Sequence, residues 1–125
     1  MKMIIDGQMS GSESGKAFEI VNPATGRVID TVPQATERDI ERAVEAAVRG
    51  QKEWEKVPVW KRGEILYRFL DIVEQNKEEL AQTLCSENGK PIVEARAEIA
   101  NIKISFSAFI EQAKHYYGSI IPAGQ

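Results

Sequence analysis

The residues that could do chemistry in this chain are few. It holds one cysteine and one histidine among 125 residues. Cys85 is the sole possible thiol nucleophile, and a catalytic thiolate needs an electropositive, accessible setting. It sits beside Leu84 inside an expected helix, Ala81–Glu87, with no basic residue in the preceding turn and His115 thirty positions away. A structural role is expected. His115 has no second histidine to share a metal with, so it reads as a structural or surface residue. Glu78-Glu79 and Glu94/Glu98 could form acid–base pairs. Glu94 and Glu98 lie four apart on one helical face and sit among Lys90 and Arg96, which describes a solvated ionic face. Gly7, Gly11 and Gly15 match neither a dinucleotide loop nor a P-loop, and no helix pattern follows them. No catalytic and no cofactor-binding residue is assigned.

The stretch that would position any such group is Pro91–Tyr117, which has no internal Pro or Gly. Ile92, Ala95, Ile99, Ile102, Phe106, Phe109, Ala113 and Tyr116 repeat at alternating intervals of three and four, a helical seam. Ala100, Ile104 and Ile110 lie to its side. Pro91 suits a first turn, and Gly118 with Pro122 marks a stop. Such a helix spans roughly 40 Å, against about 36 Å for the diameter of a compact domain of this size. It therefore protrudes or is covered by something else, and a homo-oligomer through helix 91–117 is expected.

The remainder follows from local patterns. Ile4–Met9 reads as a short strand with a turn. Phe18–Val21 and Arg27–Val32, around Asn22-Pro23-Ala24-Thr25-Gly26, read as a hairpin. Thr36 caps a helix with the apolar stripe Ile40, Ala43, Val44, Ala47 and Val48, extended by Trp54. Val57-Pro58 opens a second helix with a buried face of Ile65, Leu66, Phe69, Leu70, Ile72 and Val73. Asn76–Glu79 resembles a capping box opening a third, with Leu80 and Leu84 inward and Asn88-Gly89 as its stop. The fold class is α+β, mostly α: strands and turns over 1–34, then four helices over 35–117, and 118–125 as the start of an extended segment.

Composition bounds the rest. A hydrophobic fraction of 42% and a charged fraction of 28% are ordinary for a globular chain. The net charge of −3 argues against nucleic acid as a partner. The longest apolar runs are too short to span a bilayer, and no secretory leader is read. One cysteine fits a reducing cytoplasm. From these features alone the chain is a helical scaffold or oligomerisation module.

The motifs, taken in order, nevertheless resemble a known family. Ile5-Asp6-Gly7-Gln8, Phe18–Gly26, Ala43–Ala47 with Trp54, Arg62-Gly63-Glu64-Ile65-Leu66, Glu87-Asn88-Gly89-Lys90-Pro91 and Tyr116-Tyr117-Gly118 with Ile121-Pro122 are similar to the amino-terminal region of the NAD(P)-dependent aldehyde dehydrogenases. The resemblance covers nearly the whole chain. It implies a partial cofactor-binding domain, with residues 118–125 beginning the oligomerisation arm. It implies an intact parent that uses NAD or NADP to turn aldehydes into carboxylic acids. The family's catalytic cysteine, general-base glutamate, oxyanion-hole asparagine and glycine loop lie further on, so this chain alone should be inactive and hold no cofactor. Cys85 is not in the catalytic motif. Some family members bind a monovalent cation through backbone carbonyls matching Ile20 and Val21 and a carboxylate matching Glu87, and hard cations favour such oxygen ligands.

Overall fold

The structure is a computed structural model that describes residues 1–118. Two antiparallel hairpins precede four helices. Strands β1 (Met3–Ile5) and β2 (Gln8–Ser10) pair with Ile5 opposite Gln8. Asp6 and Gly7 form the turn with φ of 54° and 74°, the two positive values of a tight hairpin turn whose twist matches its strands. The sequence reading of one strand with a turn was thus a second hairpin. Strands β3 (Ala17–Val21) and β4 (Val28–Pro33) form the expected hairpin, with an irregularity between Ile20 and Val21.

The helices are α1 (Glu37–Glu55), α2 (Val59–Gln75), α3 (Lys77–Asn88) and α4 (Ile92–Lys114). Helix α1 starts in a capping box: Thr36 Oγ1 accepts from the Asp39 amide, and the Asp39 carboxylate accepts from the Thr36 amide. Helix α3 does not start as expected. Asn76 Nδ2 turns back to donate to the Ile72 carbonyl at 2.8 Å, which finishes α2 and leaves α3 without a side-chain cap.

Helices α2 and α3 pack on α4. The fully or nearly buried apolar residues are Leu70 and Val73 of α2, Ala81 of α3, Ala95 and Ile110 of α4, and Ile5 of β1. Phe69 and Ile72, expected on the buried face of α2, are 43% and 58% exposed, and three further expectations need correction. Helix α4 ends at Lys114 rather than Tyr117. Its seam also slips: Ala95, Ile99 and Ile102 face inward, but Ile110 takes the next core position and Phe109 is 67% exposed. A strict seven-residue seam rotates by about 20° per heptad on a straight helix, so the two heptads from Ala95 to Phe109 carry it about 40° off the core. The crossing with α2 fixes the outcome. A Cβ on Gly63 would stand 3.3 Å from Ile110 Cγ2 and 3.0 Å from Lys114 Cε. Third, on α3 the small Ala81 is the buried contact, whereas Leu80 is exposed, because the close α3–α4 approach admits a methyl and not a leucine.

Helix α1 is different. Ile40, Val44 and Val48 are 56%, 57% and 47% exposed, so its apolar stripe is uncovered. Its principal neighbour is β1. A mostly helical unit with one unpacked amphipathic helix is part of a domain rather than a closed one.

Candidate functional site

The β3–β4 turn meets the end of α3 near the positions singled out for ion binding. Asn22 shapes the turn: its Oδ1 accepts from the amides of Ala24 at 2.9 Å and Thr25 at 3.2 Å, and its carbonyl accepts from Gly26 at 2.8 Å. Gly89 ends α3 in the left-handed region, φ 75°, and its amide donates to the Cys85 carbonyl at 2.9 Å. A Cβ on Gly89 would lie 2.7 Å from Pro23 Cγ, so only a bare backbone fits against the turn. Val21 and Glu87 each stand two residues from this contact.

Ile20 is half-buried opposite Asp30, Val21 is exposed at the irregularity, and Glu87 is exposed in the last turn of α3. A cavity of about 320 Å³ opens alongside, lined by Ile29, Asp30, Glu79, Gln82, Thr83 and Glu87 among others. The Met1 ammonium donates to Asp30 Oδ1 at 2.9 Å and to the Thr31 carbonyl at 2.9 Å. That contact and the Thr31 amide hold the Asp30 carboxyl below its usual range. No group of three or more His, Cys, Asp or Glu among the described residues is arranged to hold a metal. Two carbonyls and one carboxylate would not form such a group.

The remaining candidates have structural partners. The Cys85 thiol is half-buried and donates from Sγ to the Lys90 carbonyl at 3.0 Å, tying the α3–α4 loop to α3. His115 follows the last residue of α4 with its ring edge-on to Tyr117, centroids 6.2 Å apart. Glu78 accepts both arms of Arg96, at 2.9 Å and 2.6 Å, and this pairing lowers its pKa to about 2. Glu98 pairs with Lys90. Glu78 and Glu98 are thus held as ion pairs between α3, the loop and α4.

Three features escaped the sequence reading. Asp39, in the first turn of α1, is 1% exposed. Arg62 donates to the carbonyls of Val57 at 2.7 Å and Glu55 at 2.8 Å, closing α1 and fixing the α1–α2 corner. Lys114 lies over the rings of Trp60 and Tyr67 and pairs with Glu111 at 2.6 Å, while the Tyr67 hydroxyl donates to Glu111 at 2.7 Å. The Glu111–Lys114 spacing is a helical neighbour pair visible in the sequence. The aromatic partners come from another helix and carry no local signal.

This partial domain has the shape of the opening portion of a larger enzyme fold. Residues 9–125 match the aldehyde dehydrogenase family. The chain is 40% identical over 118 residues to a 3-sulfolactaldehyde dehydrogenase of Pseudomonas putida, covering 94% of this chain and 24% of that protein. An aldehyde dehydrogenase from Brucella melitensis biovar abortus 2308 superposes with a TM-score of 0.92 at 32% identity, covering 99% of this chain and 26% of that one. A betaine aldehyde dehydrogenase from Staphylococcus aureus, solved with NAD+, superposes with a TM-score of 0.90 at 30% identity, covering 98% of this chain and 25% of that one. The chain belongs to the aldehyde dehydrogenase family and spans about a quarter of the length of these relatives.

Proposed function

We propose that this chain is the amino-terminal quarter of an NAD(P)-dependent aldehyde dehydrogenase. In that enzyme the rest of the polypeptide would oxidise an aldehyde to a carboxylic acid, and these residues would wall the cofactor domain. The observation that carries the reading is the extent of the match. Nearly the whole chain superposes on a family member, yet on only 26% of it. The open faces support it. Ile40, Val44 and Val48 on α1 and Phe109 on α4 are large apolar groups awaiting cover, and burying such side chains is worth about 1.5–3 kcal/mol each.

The catalytic groups belong elsewhere in the enzyme on this reading. Cys85 has its hydrogen committed to the Lys90 carbonyl, and no glycine-rich strand-to-helix turn precedes any of the four helices. The cofactor is a nicotinamide dinucleotide, as in the relative solved with NAD+. Carbonyls of Ile20 and Val21 with the Glu87 carboxylate would hold a monovalent cation in the intact enzyme. The lone cysteine suits a reducing cytoplasm. Calorimetric titration of the 125-residue chain with NAD+ and NADP+ tests the assignment: no binding at micromolar concentrations is expected, and a micromolar Kd for either would overturn it.

A further inference from the structure

One carboxylate fastens the first hairpin to the helices. Asp39 Oδ2 accepts from Ser12 Oγ at 3.2 Å, the Glu13 amide at 3.2 Å, the Thr36 amide at 3.0 Å and Thr36 Oγ1 at 3.0 Å. Two of these donors come from the loop after β2 and two from the start of α1. The carboxylate is 1% exposed. Its other oxygen, Oδ1, has no hydrogen-bond partner, and Arg42 Nη1 stands 3.6 Å away. Among the described residues two further ion pairs reach α1 from this unit, Asp6 with Arg49 at 3.1 Å and Glu13 with Arg38 at 2.7 Å; all four side chains are well exposed, and exposed pairs contribute little.

We propose that Asp39 is a proton-sensitive latch, which releases the loop at Ser12–Glu13 and hairpin β1–β2 from α1 as one unit while α2–α4 stay packed. The separation follows from the packing. Helix α1 rests chiefly on β1, and of the buried apolar residues only Ile5 belongs to the hairpin, whereas Leu70, Val73, Ala81, Ala95 and Ile110 lie within α2–α4. Protonation at the partnerless Oδ1 would remove the negative charge that assists all four hydrogen bonds to Oδ2, so the four would weaken together.

The charged groups facing Asp39 set the direction. Arg42 comes from its own helix. From the loop, Glu13 contributes its amide, while its carboxylate is turned onto Arg38 at 2.7 Å. The Thr36 amide, the Glu13 amide and the two hydroxyls hold the Asp39 carboxyl below its usual range, against the effect of burial. The native pKa therefore lies below the unfolded one. The latch is closed above the ordinary carboxylate range and opens as pH falls through the native value.

Amide hydrogen exchange on the full chain, corrected for intrinsic rates and followed from neutral to acid pH, tests this. Protection at Glu13 and Thr36 should fall at least tenfold while that at Ala81 and Ala95 holds. Asp39→Asn should show the loosened pattern already at neutral pH. Simultaneous loss at all four amides in the wild-type titration would overturn the latch. So would protection at Glu13 that persists after Asp39 is protonated, as read by carboxyl NMR. The wild-type titration decides even if Asp39→Asn does not fold.

Discussion

Gly89→Ala tests the α3–α4 corner. The backbone there has φ 75°, and an added Cβ would meet Pro23 Cγ at 2.7 Å and the Ala24 amide nitrogen at 3.4 Å. Holding alanine in the left-handed region costs about 1–2 kcal/mol. Forcing a methyl into filled space costs about 1–3 kcal/mol more. The expected loss is therefore about 2–5 kcal/mol. Gly7→Ala supplies the control, because Gly7 has φ 74° and nothing within 4 Å of its added Cβ. That variant should lose only the conformational part, about 1–2 kcal/mol. Urea unfolding followed by circular dichroism measures both. With m near 1–3 kcal/mol/M, the Gly89 variant should reach its midpoint at clearly lower urea than the Gly7 variant. Equal midpoints would mean that the β3–β4 turn does not seat on the end of α3.

Other outcomes follow from single contacts. Arg96→Ala should return the Glu78 titration from about 2 toward an ordinary carboxylate. Glu78 has a depressed native pKa, so its ion pair stabilises the fold above the unfolded carboxylate pKa and is lost as pH falls toward 2; a carboxyl NMR titration unchanged in the variant would contradict the pairing. The unmodified chain should self-associate at tens of micromolar through its open apolar faces. Phe109→Glu, at a 67% exposed site, should shift sedimentation equilibrium toward monomer without loss of helix, whereas Phe106→Glu, at a 41% exposed site whose ring lies 5.8 Å from that of Phe69, should also lower the urea midpoint. A stable wild-type monomer would refute this. Cys85→Ser should cost about 1 kcal/mol or less, the scale of one hydrogen bond, and leave the activity of an intact enzyme within tenfold of wild type; a loss beyond a hundredfold with folding intact would assign Cys85 to the chemistry.

Much of the architecture was legible because it rests on local signals. Thr36 with Asp39, Pro58, the Asn22–Gly26 turn and Gly89 each mark an element boundary through their own backbone chemistry. What the sequence concealed depends on partners distant in the chain. The inward turn of Ile110 in place of Phe109 is set by Gly63 on α2. The burial of Ala81 rather than Leu80 is set by how closely α4 approaches. Asp39 reads as an N-terminal helix acid, and its contacts with Ser12 and Glu13, distant in the chain, are what the local pattern does not show. The stripe on α1 was legible as amphipathic, but its lack of cover within the described residues was not, because periodicity marks an apolar face without naming its partner. The candidate ion site was reached through family resemblance alone; backbone carbonyls have no signature in side-chain identity.

The central claim is that these residues supply walls and the rest of the enzyme supplies the chemistry. The most direct measurement is aldehyde-dependent reduction of NAD+ or NADP+ by the purified 125-residue chain, across semialdehyde, sugar-aldehyde and betaine-aldehyde substrates. No turnover above the protein-free rate is expected with any pair. Sustained, protein-dependent formation of reduced cofactor would contradict the account and place an active site within this chain.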